Sequence, residues 1–161
     1  MPGEGPQGRV IDVDKGYDHF VRSFGDLKDL GVYVGIREDK GAVKPPDSDA
    51  TVAEYATYNE FGTKHTPERS FLRSWEKENR KEIVERIGKA TVDVLDGKQT
   101  IFRTFGQLGV WAVRGVQRNI RDIDTPPNAP STIKRKKSSN PLIDSGRMRQ
   151  SIEYEVREGG K

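Results

Sequence analysis

The sequence predicts an α+β fold: a small antiparallel sheet of about three strands packed against two long antiparallel helices and shorter helices, with a long basic loop before the C-terminal strand. Three observations carry this expectation. Apolar residues recur at intervals of three and four along 72–94 and again along 101–123, the period of amphipathic helices. Ile152, Tyr154 and Val156 alternate with Glu153, Glu155 and Arg157, the period of a half-buried strand, and GVYVGI at Gly31–Ile36 reads as another. Between the second long helix and the last strand, Pro126, Pro127 and Pro130 precede four consecutive cations, Lys134, Arg135, Lys136 and Lys137. Prolines remove backbone donors and push their predecessors towards extended geometry, so this segment reads as an exposed loop.

Taken in order, residues 1–8 (MPGEGPQG) are Gly/Pro-rich and expected to be a flexible N-terminus, with one domain over 9–157 and a flexible C-terminus at 158–161. Val10, Ile11 and Val13 mark a first short strand. Phe20, Phe24 and Leu27 share one face of a helix over 17–27. In the strand at Gly31–Ile36, Val32, Val34 and Ile36 share a face, and Gly35 on the other admits close backbone approach. Residues 37–49, with Gly41, Pro45 and Pro46, read as a loop.

A helix starts at Thr51, because Thr51 and Glu54 have capping-box spacing; Val52, Tyr55, Ala56 and Asn59 line one face, and Gly62 stops it. The first long helix restarts at Thr66, with Pro67 at its first position and Glu68 complementing its dipole, and ends at Asp96 and Gly97. Leu72, Trp75, Ile83, Ile87, Ala90 and Val94 form its stripe. Glu76/Arg80, Glu82/Arg86 and Glu85/Lys89 support its wet face. The second, from Lys98 to about Ile123, carries Ile101, Phe105, Leu108, Ala112, Val116, Ile120 and Ile123. Its Gly106, Gly109 and Gly115 each cost roughly 0.5–1 kcal/mol relative to alanine, which implies close packing against another helix or subunit.

The chain has 161 residues, suited to one domain, with 32% hydrophobic and 33% charged residues. Its core is therefore thin, and self-assembly or a partner is expected. The absence of cysteine excludes disulfides and thiolate metal sites. No apolar run approaches the roughly 20 residues that span a bilayer, and 1–8 lack the apolar core of a signal peptide, so a soluble, unsecreted protein is expected. Charge is uneven: 114–149 holds nine Lys or Arg against three Asp, an excess of +6, while the whole chain carries +3, so the remainder carries −3. Such asymmetry steers an acidic partner.

Catalytic patterns are missing. His19 and His65 are the only histidines and lack metal-ligand spacing. Ser145 sits in DSG, without the glycines of a nucleophile elbow, and Asp144 reads as a turn or helix cap. No phosphate-binding GxxxxGK[ST] is present. No catalytic, cofactor or metal residue is assigned, and an enzyme is not expected.

Two stretches carry a resemblance. AEYATYNEFGTKHTPERSFLR, 53–73, is followed by PPNAPSTIKRKKSSNPLIDSGRMRQSIEYEV, 126–156. Their pattern includes Phe61, Gly62, Thr63, Pro67, Arg69, Phe71, Leu72 and Arg73, then Asp144, Ser145, Gly146 and Arg147. Together they resemble the neck and tail-completion proteins of tailed bacteriophages, also described as head–tail joining, minor tail or virion-morphogenesis proteins. The resemblance implies a non-enzymatic virion protein, assembled in the host cytoplasm, that completes the tail or joins it to the head connector. Its partners would be other neck and tail proteins, such as connector, tail terminator or tail tube, and it would form a homo-oligomeric ring.

On this reading Lys134, Arg135, Lys136, Lys137, Arg147 and Arg149 are an exposed assembly interface, while Arg69 and Arg73 run along the next helix towards a neighbour. Phe61 and Phe71 would pin the FGT turn to the core. Three alternatives stay open: a tail-tube terminator ring; a nucleic-acid-binding module using 134–137 on phosphates, although no aromatics interleave with that run; and a toxin-like or regulatory enzyme.

Overall fold

The computed structural model describes residues 16–27, 30–46, 48–136 and 138–158. The expected strand at 10–13, the ends 1–8 and 159–161, and Lys137 lie outside them. In chain order the elements are α1 (Tyr17–Leu27), β1 (Leu30–Ile36), α2 (Glu38–Gly41), α3 (Val52–Phe61), α4 (Leu72–Leu95), α5 (Ile101–Asp122), α6 (Pro130–Lys136), α7 (Arg147–Gln150) and β2 (Ile152–Glu158). The fold is α+β, with a two-stranded antiparallel sheet among the described residues. Its register runs from Leu30 opposite Glu158 to Ile36 opposite Ile152.

The layers stack in the order sheet, α5, α4, α1. Of the two long helices α5 lies on the sheet and α4 packs on α5 rather than beside it, which corrects the expectation that both cover the strands. Buried side chains gather where the C-terminal half of α5 meets the sheet: Val116 and Ile120 from α5, Phe71, Leu142, Met148 and Ile152.

The glycines of α5 explain the close packing. A Cβ at Gly109 would sit 2.2 Å from Cδ2 of Tyr154 on β2, and one at Gly115 would sit 2.3 Å from Nε1 of Trp75 on α4. Two aromatic rings are thus inlaid into the helix surface, on different faces, and the glycines serve the chain's own packing. Trp75 also meets Trp111, ring centroids 5.2 Å apart and tilted by 58°. Gly35, in contrast, faces open space, so the close approach expected there is absent.

Several local expectations hold. Thr51 and Glu54 form both halves of a capping box, and Gly62, at φ +72°, ends α3. Thr100 caps α5 through its hydroxyl, placing the start three residues after Lys98. Of the expected ion pairs Glu76–Arg80 and Glu82–Arg86 form, while Glu85 pairs instead with Lys81.

Two expectations are corrected, and the apolar face of α1, to which the sequence assigned no cover, is located. Residues 37–49 contain the one-turn α2. The basic segment is no loop throughout: Lys134, Arg135 and Lys136 sit on α6, whose first residue is Pro130, a position where proline loses no helical hydrogen bond. And α1 turns its apolar stripe outward. Phe20 and Phe24, stacked with centroids 6.3 Å apart, are exposed, while Ser23 is the buried residue. The contact with α4 is polar, His19 Nε2 lying 3.2 Å from the Val94 carbonyl.

The inlaid rings give a direct test. Gly109→Ala and Gly115→Ala should each lower stability by about 1–3 kcal/mol through overpacking. Gly88→Ala, in α4 with nothing within 4 Å of the new Cβ, should raise it by about 0.5–1 kcal/mol through helix propensity. Urea unfolding followed by circular dichroism reads both signs; equal effects at the three sites would show that the rings do not depend on the glycines.

Candidate assembly interface

The candidate surface is built on a buried carboxylate. Glu60, in the last turn of α3 and 4% exposed, accepts hydrogen bonds from the backbone N–H groups of Phe71 (2.7 Å), Leu72 (3.0 Å) and Arg73 (3.0 Å). The Ser70 hydroxyl (2.8 Å) and Arg73 Nε (3.0 Å) complete its shell. Helix N-termini present unpaired amides and a positive dipole end; Glu60 supplies both acceptor and charge from a different helix. Burial pushes its pKa up, but the amides of Leu72 and Arg73, the Ser70 hydroxyl and the Phe71 amide together outweigh it and hold the carboxyl below 4.5.

This carboxylate explains why α4 starts at Leu72 and not at Thr66. The Thr63 N–H donates to the Thr66 carbonyl at 2.7 Å, and the Thr63 hydroxyl accepts from the amides of His65 and Thr66, closing 63–66 into a turn. Pro67 and Glu68 lie outside any helix beyond it, and Glu68 pairs with Arg73 (3.0 Å) rather than with a helix dipole. Gly62 allows this reversal: a Cβ there would lie 3.0 Å from the Glu68 nitrogen.

Arg69, 6% exposed, binds the proline segment. Its Nε donates to the Pro126 carbonyl at 2.7 Å, one terminal nitrogen to the Pro127 carbonyl (3.2 Å) and Asn128 Oδ1 (3.3 Å), and the other approaches Asn59 Oδ1 at 3.5 Å. Beyond it, Asn128 reaches the Asn140 carbonyl, Asn140 Oδ1 accepts from the amides of Leu142 and Ile143, and Lys136 Nζ donates to the Pro141 carbonyl at 3.2 Å. Arg69 and Arg73 therefore satisfy groups of their own chain, Arg69 from a buried position and Arg73 with about half of its side chain (52%) still exposed. Phe71 is buried as expected, but Phe61 is 60% exposed, with the Arg73 guanidinium 4.6 Å above its ring, and pins nothing to the core.

The two sequence stretches consequently meet. They border a groove of about 1370 Å³, with Tyr55, Pro67 and Arg69 on one side and Arg135, Lys136 and Arg147 on the other. Asp144, Ser145 and Gly146 also line it. Asp144 does not cap α7, whose N-cap is Gly146 without a side-chain hydrogen bond. Arg135 and Arg147 are exposed; Lys136 is half-buried, correcting the expectation of a fully exposed run. Lys134 is exposed on α6 and Arg149 half-buried on α7, neither bordering the groove, while Thr63 and Leu72 shape the turn and α4 behind it.

Glu60, Asn59, Asn128 and Asn140 escaped assignment as site residues in the sequence. One signal pointed to Glu60: an acid in the last turn of a helix opposes the dipole and needs compensation from elsewhere. Among the described residues no group of three or more His, Cys, Asp or Glu is placed to hold a metal ion, and no helix is long and apolar enough to cross a membrane. Comparison with protein-family models, curated proteins and solved structures finds no match to the chain.

Glu60→Gln should lower the unfolding free energy by about 2 kcal/mol at neutral pH, the scale of hydrogen bonds to a charged group. Because the folded carboxyl titrates below 4.5, its contribution is complete above that pH and declines as pH falls through the folded value. Urea unfolding between about pH 7 and pH 3 should show the gap between the two proteins narrowing at the acid end. A pH-independent gap would mean that the charge of Glu60 contributes nothing.

Proposed function

We propose that the protein is a structural component of a tailed-phage virion that completes the tail or joins it to the head connector, and that it is not an enzyme. The observation that carries this reading is the convergence of its two resembling stretches. Separated in sequence, 53–73 and 126–156 are tied by Arg69 and border one cation-rich groove. A surface held by internal hydrogen bonds, with Arg135 and Arg147 left outward, suits docking to carboxylate-bearing neighbours better than chemistry.

Within the virion the protein works as a ring with other neck and tail proteins as partners. The exposed apolar side chains of α1, Phe20, Val21 and Phe24, two of them stacked on each other, support burial against another subunit, since monomeric surfaces rarely leave such residues clustered. The glycines of α5 are not available for that contact, being filled by Tyr154 and Trp75.

Charge reversal at Lys134, Arg135 and Arg147, all exposed, tests the reading; Lys136 is left intact because its ammonium holds the Pro141 carbonyl. The melting temperature should stay within about 3 °C, as surface charges contribute little to stability. Phage carrying the variant should accumulate separate heads and tails. Normal infectious particles would overturn the assembly role.

A further inference from the structure

The groove between α3, α6 and the segment before α7 has a form and a charge pattern that narrow its occupant. At about 1370 Å³ it exceeds the roughly 300–1,000 Å³ usual for small-molecule sites. Its lining includes Pro45, Pro46, Pro67, Pro127 and Pro141, which offer ring faces and no N–H donors. Cations outnumber carboxylates, with Arg69, Arg135, Lys136 and Arg147 against Asp49 and Asp144.

The cations crowd one another. Burial lowers the pKa of the Lys136 ammonium; Asp144 opposes the change, and Arg69 and Arg135 add to it. An added carboxylate beside them would relieve this repulsion, whereas one beside Asp49 or Asp144 would meet a like charge. The site therefore favours spaced negative charges over a continuous row.

A nucleic-acid strand carries one charge about every 3.4 Å and cannot skip the two carboxylates. The lining is also poor in stacking platforms: Tyr55, half-buried, is its one Phe, Tyr or Trp among the described residues, and His65 is its one exposed ring, too few for the successive bases of a strand. A peptide can space its acids and bring its own N–H donors.

We propose that this groove docks an extended acidic segment of a partner protein, whose carboxylates meet Arg135 and Arg147. The idea rests on the assembly reading for the existence of a partner and adds the chemistry by which that partner is held. Binding of this kind is one of the recurring modes of motif recognition by arginine clusters.

The test titrates the purified full chain at low salt with a fluorescein-labelled peptide of alternating Glu and Gly, and separately with labelled oligothymidylate of equal charge. The peptide should bind saturably. Arg135→Glu with Arg147→Glu should weaken it by more than about tenfold, the scale of a lost charge pair at an interface. The milder Arg135→Gln with Arg147→Gln should weaken it in the same direction with circular dichroism unchanged. Arg80→Glu with Lys81→Glu, an equal charge change on the exposed face of α4, should leave binding within about twofold, as expected for distant screened charges. Amide signals of Ser145, Gly146 and Met148 should shift on titration.

No saturable binding, equal loss in the α4 variant, or tighter binding of oligothymidylate would overturn the proposal. If the peptide fails while phage with reversed cations still yield separate heads and tails, the groove is wrong and the virion reading stands. If the peptide binds while those phage form normal particles, the groove is right and the virion reading falls.

Discussion

The carboxylate of Glu60 is the constraint on which the rest of the structure depends. Being buried, it cannot exchange its partners for water, and its partners are three successive backbone amides that only one placement of α4 presents. The angle between α3 and α4 is thereby set by hydrogen-bond geometry before any apolar packing is counted. That placement drives Phe71 into the core, and Asn119 of α5 binds the Phe71 carbonyl at 2.8 Å and the Ser74 hydroxyl at 2.7 Å. With α5 positioned, the sheet has a surface to lie on. The same turn delivers Arg69, whose amide donates to the Asn59 carbonyl at 2.7 Å, so the anchor for the proline segment is itself fixed by the polypeptide around Glu60. For a chain with a thin apolar core, directional polar contacts at one junction replace part of what bulk packing does elsewhere.

Where a feature depended on neighbours in sequence, it was legible. The Thr51/Glu54 box, the Gly62 stop, the stripe of α5 and the strand at Ile152–Glu158 all express rules that operate within a turn or a strand, and the structure reproduces them. Thr66, Pro67 and Glu68 carry equally good local start signals, yet the helix begins five residues later than Pro67, because a distant carboxylate selects which amides become its first turn. Pro130 misled for a related reason: among three prolines it read as a breaker, whereas its own place is the first residue of α6. Periodicity in α1 identified residues sharing a face but carries no information about what covers that face. The groove was invisible for the most basic reason, since its defining bonds join Arg69 to residues 57 to 59 positions away.

Aromatic inlays explain how so few buried side chains hold the sheet, α5 and α4 together. Tyr154 of the strand and Trp75 of α4 enter α5 at Gly109 and Gly115, on different faces of the helix, so it is gripped between strand and helix at points where its backbone is bare. Large rings bury much area per residue, and a glycine opposite each lets them approach to the backbone. The arrangement exchanges helix propensity for contact, and it leaves α4 with an outer face that mixes charged residues with the exposed Val84, Ile87 and Val92.

The stacking of layers also separates two kinds of surface along the length of α5. Its C-terminal end lies with Arg69 and the groove, its N-terminal end with Phe102, the Val94 end of α4 and α1. Twenty-two residues at about 1.5 Å each put roughly 33 Å between them. One pole is ionic and sensitive to salt through a Debye length of about 8–10 Å; the other is apolar and strengthened by the solutes that are excluded from protein surfaces. The two ends of α5 thus carry chemically distinct surfaces, one weakened by screening salt and the other strengthened by excluded solutes.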